Sequence, residues 1–329
     1  MTRTLIVGAG ATGGALGARL ITAGQDVTFL VRERRAAQLA RDGLRFRAPD
    51  LDIAHEVRAV TSLEGADPFD LVIVAVKAPA LPAIIPVLIP AVGPDTRIMP
   101  LLNGMAHIDA LEEAFPGQVL GGIVKIVATL KDDATVVQMT PLCSLTMGGL
   151  QGEDVPGEIA PILEADGLSL EVTDDIASRL WEKWAFIAAA GVITCLFRGT
   201  IGDILAAGGE AKILEAIDEC ERIAATAGYP VSEARHAQSL ALLTEPGSAF
   251  TSSLYRDLQH GDPVEAEHII GDLATRAAAL QAPAPLLNAA LLQLRTHHQA
   301  LIRTQNSSTK HHYGPRDRAP QTTAPSVRN

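Results

Sequence analysis

Thr4-Leu5-Ile6-Val7-Gly8-Ala9-Gly10-Ala11-Thr12-Gly13-Gly14 is the stretch whose reading decides the fold. Leu5, Ile6 and Val7 make a short apolar strand, and Gly8, Gly10 and Gly13 follow with G-x-G-x-x-G spacing. A helix-like run from Ala15 to Ala23 ends at Gly24. In this arrangement the first glycine permits the tight turn, the second lets the backbone approach a pyrophosphate, and the third lets helix and strand pack closely. The pyrophosphate then lies on free N–H groups at the positive end of the helix dipole. Glycine spacing alone also fits an ordinary turn. The strand before and the helix after supply the context that turns the motif into a dinucleotide site.

Working outward, Asp26–Val31 reads as the second strand, rich in β-branched residues. An acidic residue at the end of this strand holds the ribose hydroxyls of NAD, whereas an arginine accommodates the 2′-phosphate of NADP. Here Arg32 follows the strand directly, and Arg34 and Arg35 add to the positive field, which points to NADP(H). Glu33, twenty residues past Gly13, is the competing NAD reading, and the same charges could merely open a solvated helix over Glu33–Arg41. Residues 43–60 read as irregular strands on a surface excursion. Phe69–Val76 is a nearly unbroken apolar run, as expected of a parallel strand covered on both faces, and Lys77 stands at its carboxyl end. Further strands are expected at Thr96–Leu102, leading into Asn103-Gly104, then at Gln118–Ala128, Val136–Thr140 and Ser144–Met147.

Strands alternating with helical runs specify an α/β domain, a Rossmann-type doubly wound parallel sheet, over residues 1–172. From Ile176 the period changes. Ala177–Phe197, Ala211–Ala227, Ser232–Leu243, Pro263–Gln281 and Pro285–Arg303 read as helices without intervening strands, giving an all-α domain over 173–305. The segment 306–329 is polar, basic and proline-containing, and is expected to be a disordered tail.

Composition narrows the class. The 329 residues are 47% hydrophobic with a formal net charge of −11, which suits two globular domains and argues against a general nucleic-acid surface. Cys143, Cys195 and Cys220 lack C-x-x-C or metal-ligand spacing, so no metal is expected, and the three thiols suit a reducing compartment. No signal peptide fits a terminus that runs straight into a strand. The apolar runs Leu81–Val92 and Ala185–Phe197 are each short for a bilayer, so the expectation is a cytoplasmic chain without a membrane partner. A homodimer through apolar helical faces is the expected assembly.

A Rossmann domain implies a cofactor without naming a reaction. Lys183 is the residue of interest in the second domain, because it enters the strongly apolar run Leu180–Ala189. It either snorkels to water or faces the interdomain cleft as a proton donor to a substrate oxygen. Burial would lower its pKa and a nearby carboxylate would keep it charged. Glu265 is the available partner. Asp262-Pro263-Val264-Glu265 also reads as a helix start, with Asp262 as N-cap, Pro263 at N1 and Glu265 at N3. Thr251-Ser252-Ser253 offers hydroxyls that would equally serve as a helix cap.

Taken in order, Gly8-x-Gly10-x-x-Gly13, Arg32, Lys77, Asn103-Gly104-Met105, Trp181-Glu182-Lys183 and Ser252-Ser253…Asp257…Glu265 resemble the ketopantoate reductases (2-dehydropantoate 2-reductases) from Leu5 to about His297. The resemblance implies a Rossmann domain followed by a helical domain like that of 6-phosphogluconate dehydrogenase. It also implies NADPH-dependent reduction of a 2-oxo acid, ketopantoate, to pantoate on the way to pantothenate and coenzyme A. Carried onto these residues, Lys183 matches the general acid and Glu265 a carboxylate near it and the nicotinamide ribose. Gly8, Ala9, Gly10, Ala11, Thr12, Gly13, Arg32, Lys77, Asn103 and Ala128 match cofactor contacts. Asn103, Lys183 and Ser253 match substrate contacts, Ser253 with the carboxylate.

The departures concern the substrate. The family often has asparagine four, eight and eighteen residues after the lysine, where this chain has Ile187, Gly191 and Ile201. Losing such partners weakens recognition by roughly 1–3 kcal/mol per unpaired polar group. Thr194 or Ser252 could substitute, or the substrate could be a more apolar 2-oxo acid or imine. A non-catalytic NADP(H)-binding sensor is the rival from another class.

Overall fold

The computed structural model describes residues 2–262 and 264–310. In chain order the strands are β1 Arg3–Val7, β2 Asp26–Leu30, β3 Leu44–Ala48, β4 Leu51–His55, β5 Arg58–Val60, β6 Leu71–Val74, β7 Arg97–Pro100, β8 Leu120–Leu130, β9 Val136–Gly149 and β10 Ser169–Val172. Among them lie the helices α1 Ala11–Thr22, α2 Glu33–Asp42, α3 Leu81–Leu88, α4 Ala106–Ala114 and α5 Ile159–Ile162. Among the described residues there follow the α-helices α6 Ile176–Phe197, α7 Ile201–Ala206, α8 Glu210–Thr226, α9 Glu233–Leu243, α10 Ser253–His260, α11 Asp272–Ala279 and α12 Pro285–Lys310.

The first sheet has the order β5-β2-β1-β6-β7, and each neighbouring pair is parallel. Leu5, Ile6, Val7, Leu71, Val72, Ile73 and Val74 are all fully buried, as both-face coverage requires. The chain leaves β1 towards β2 on one side and returns to β6 on the other. The loops after β1 and β6 therefore flank the switch point, where open α/β sheets bind ligands.

A second sheet was not foreseen. Residues 43–60 are no surface excursion: β3 and β4 form a hairpin whose β3 pairs with β9, in a sheet of order β10-β9-β3-β4 with β8 on β9. The expected pieces 136–140 and 144–147 are one strand, β9. This sheet covers the far side of α1, so Leu16 and Leu20 share one apolar cluster with Phe29 of the first sheet and Val136, Leu145 and Met147 of the second. Arg19 is buried with them at 2% exposure. The burial is tolerated because its guanidinium donates to Asp50, to Gln138 and to the Asp166 carbonyl.

The helical domain is built around α6. Ile213, Ala216, Ile217, Cys220, Ile223 and Ala224 form an i, i+3, i+4 stripe on α8 that packs into its cluster. Glu219, 2% exposed, accepts the Leu286 and Leu287 N–H groups and so caps α12. The run Ala185–Phe197 belongs to a 22-residue helix, which by length and composition could cross a membrane. Its most apolar window is 67% buried against the rest of the fold, as in a core helix. All three cysteines are buried thiols. Helix α12 continues to Lys310, past the expected start of the tail at 306, and residues 311–329 lie outside the described residues.

Candidate active site

The glycine loop forms as its spacing requires. Gly8 has φ +100°, and a Cβ on Gly13 would sit 2.1 Å from the Gly8 carbonyl oxygen, so strand and helix meet at glycine contact distance. Helix α1 begins at Ala11, four residues before the expected start, so the loop runs straight into its N-terminus. Its N-cap, Gly10, offers no side-chain cap, and a Cβ there would meet nothing within 4 Å. Uncapped N–H groups in front of an open face fit a pyrophosphate. Ala9, Thr12 and Arg32 border the same edge, with Arg32 exposed at the N-cap of α2 and Arg34 and Glu33 exposed beside it. Arg35 does not join that field. Its guanidinium turns inward to the Ala9 and Ala134 carbonyls and to Gln38, and burial lowers its pKa.

Across the switch point, Lys77 follows β6 with its side chain exposed and its Nζ 3.9 Å from Asp257 of α10. Burial raises the Asp257 carboxyl, while Lys77 opposes the shift. Glu265 Oε1 accepts the Ala78 N–H at 2.9 Å. These two contacts join the domains at the mouth of the cleft. The helix-start reading of Asp262 and Glu265 is corrected: helical geometry begins at Ala266, and the carboxylate is spent on Ala78 rather than on its own helix. Pro263, expected at N1, lies outside the described residues.

The segment after Glu265 is a π-turn, Glu267–Gly271, running into α11. Such a turn displaces carbonyls from the usual i→i−4 ladder. The Trp184 indole N–H donates to the Ile269 carbonyl at 2.9 Å, which ties the turn to α6 beside Lys183. Gly104, at φ +84°, backs onto the same turn, where a Cβ would lie 2.3 Å from the His268 carbonyl oxygen. Asn103 is therefore held at the cleft, partly exposed. Arg276 of α11 completes the docking by bridging Asp272, at 3.1 Å, and Asp109 of α4.

Lys183 is partly exposed on α6 and, among the described residues, has no hydrogen-bond or ion-pair partner. Burial lowers its pKa to about 8, with the positive charge of Lys125 adding to the shift. The expected pairing with Glu265 is not present, because that carboxylate serves Ala78. His107, three residues past Gly104, was passed over by sequence reading. It is 4% exposed, its Nε2 has no partner among the described residues, and burial and the Lys183 charge push its pKa down to about 3, so it is neutral at physiological pH.

The positions where the family often has asparagine are apolar and packed. Ile187 packs against the helical cluster, Ile201 is fully buried, and a Cβ on Gly191 would meet Leu254 Cδ1 at 2.7 Å. Thr194 and Ser252 are not free substitutes for the missing asparagines. They are buried and bonded to each other at 2.6 Å, and Ser252 caps α10 through the Tyr255 N–H. Ser253 is the first residue of α10 and is exposed. Ala128 lies partly buried on β8, just past an irregularity in its pairing with β9.

A glycine loop open at the switch point of a parallel sheet, facing a helical domain that presents a half-buried lysine, defines a nicotinamide-dependent oxidoreductase. The comparisons with known proteins narrow this. Residues 4–152 match the family model "Ketopantoate reductase PanE/ApbA" and residues 175–298 its C-terminal counterpart. An uncharacterized oxidoreductase of Bacillus subtilis, YkpB, is 33% identical over 89% of this chain and 98% of its own length. A 2-dehydropantoate 2-reductase of Archaeoglobus fulgidus is 30% identical over 83% of this chain and 90% of its own. The crystal structure of 2-dehydropantoate 2-reductase from Methylococcus capsulatus shares the fold with a TM-score of 0.81 at 23% identity, covering 91% and 97% of the two chains. The chain belongs to the ketopantoate reductase family.

Proposed function

We propose that this protein reduces a 2-oxo acid with NADPH, ketopantoate being the favoured substrate, and that Lys183 is the general acid. The observation that carries this reading is the unpaired, half-buried Lys183 ammonium on α6, next to Trp184, whose indole bonds the π-turn on which Gly104 docks. The nicotinamide, when bound, supplies the hydride. The remaining chemistry belongs to the chain. Uncapped N–H groups of α1 and the exposed Arg32 favour phosphate, the latter the 2′-phosphate of NADPH. Lys183 donates a proton to the substrate carbonyl oxygen as negative charge develops there, which removes an uncompensated oxyanion. Asn103 is assigned to contact both cofactor and substrate, Glu265 holds the Lys77-Ala78 turn at the cleft mouth, and Ser253 offers a hydroxyl at the start of α10.

The family relation and the apolar residues Ile187, Gly191 and Ile201, which stand where the family often has asparagine, together support a second reading: the same chemistry on a 2-oxo acid with an apolar branch in place of the hydroxyl of ketopantoate. Lys183→Ala separates either reductase from a dinucleotide sensor. Turnover should fall by about 10²–10⁴-fold with NADPH affinity unchanged, as read by fluorescence titration. A variant that keeps wild-type turnover would remove Lys183 from the reaction.

A further inference from the structure

Side chains alternate along β8, and one face of it looks at α6. A Cβ on Gly121 would touch Ile176 and Leu180, and Ile123 joins the apolar cluster of Leu180 and Trp184. Gly148, paired with Gly121 on β9, also lies against Ile176. Lys125 is the next residue on this face, as α6 climbs from Ile176 through Leu180 to Lys183. Its neighbour across the ladder is Ser144. Lys125 is exposed, and its charge acts on Lys183.

The charges around Lys125 are settled among themselves. Arg179 pairs with Glu171 at 2.7 Å, and Arg235 with Glu182 at 3.4 Å, while Glu182 also accepts from Ser232. Among the described residues, neither Lys125 nor Lys183 has a hydrogen bond or an ion pair. Two unneutralised ammonium groups on facing elements repel each other, and an anion between them relieves that repulsion. A 2-oxo acid carries its carboxylate on the carbon next to its carbonyl, so a cation on each of the two facing elements matches its two neighbouring groups.

We propose that Lys125 is the anchor for the substrate carboxylate, holding it while Lys183 faces the neighbouring carbonyl oxygen. The inference rests on the 2-oxo acid reductase reading. It would also explain how this chain retains an acidic substrate without the asparagines at positions 187 and 191.

The test uses the full chain with Lys125→Met and Lys125→Arg, both checked for an unchanged Tm. KM and kcat are measured for ketopantoate and for its methyl ester, and oxamate binding to the NADPH-loaded protein is read from NADPH fluorescence. The methionine variant should raise KM for the acid about tenfold to a hundredfold, moving KM more than kcat, with oxamate affinity falling in parallel. The arginine variant should recover most of the loss, and KM for the ester should not move. An unchanged KM for the acid, an equal rise for acid and ester, or a fall in kcat alone would overturn the proposal. If wild type reduces no 2-oxo acid, the reductase reading fails by itself. Oxamate binding that Lys125→Met abolishes would still support the anion site, and binding that is absent, or equal in both proteins, would overturn it.

Discussion

In the proposed reaction, Lys183 takes its acid strength from where α6 places it. An ordinary lysine donates poorly near neutrality because its pKa is far above the working pH. Burial and Lys125 bring Lys183 to about 8, which matches acid strength to task. The sign of the pH dependence follows. The donor must be protonated, so kcat/KM for reduction should be level below pH 8 and fall as pH rises through that value. On the proposed binding of a substrate carboxylate by Lys125, that anion would offset the charge on Lys183, so the corresponding limb in kcat should lie at higher pH. A rate profile from pH 6 to 10 checks both. The lysine was legible in sequence as a cation in an apolar run. The role of Glu265 was not, because Asp262-Pro263-Val264-Glu265 satisfies a local capping pattern while its carboxylate bonds the N–H of Ala78, 187 residues away. Lys125 was equally hidden: one lysine in an apolar strand reads as an exposed position until the opposing helix is in place.

At the scale of elements, the cleft depends on how α4 and its preceding loop dock on the π-turn. Gly104 allows that contact by its positive φ and by the 2.3 Å that would separate a Cβ from the His268 carbonyl. Gly104→Ala should therefore cost about 2 kcal/mol or more in stability and displace Asn103, lowering Tm and kcat together. A variant with wild-type Tm and kcat would show that the loop can shift without consequence. The elements nearest in sequence were the most legible. β1, β2 and the long helices α6, α8 and α9 fall within a residue or two of the expected bounds, because period and cap signals are local. The second sheet was missed because the partner that orders β3 is β9, some ninety residues on. The in–out alternation of Leu44-Arg45-Phe46-Arg47 was visible, yet nothing local says which sheet it joins.

At the scale of the molecule, the two domains meet through polar contacts, Lys77 with Asp257, Ala78 with Glu265 and Asp109 with Arg276, and through an apolar seam in which Met105, Ile108 and Ile123 join Ile176, Leu180, Trp181 and Trp184. The most direct measurement is NADPH oxidation by the purified protein with ketopantoate, beside a panel of branched and aromatic 2-oxo acids. Turnover with ketopantoate well above the panel is the expected result, and it would show that the missing asparagines are tolerated. Turnover with another acid alone would keep the mechanism and change the substrate. Tight NADPH binding with no turnover on any 2-oxo acid would contradict the reductase reading outright.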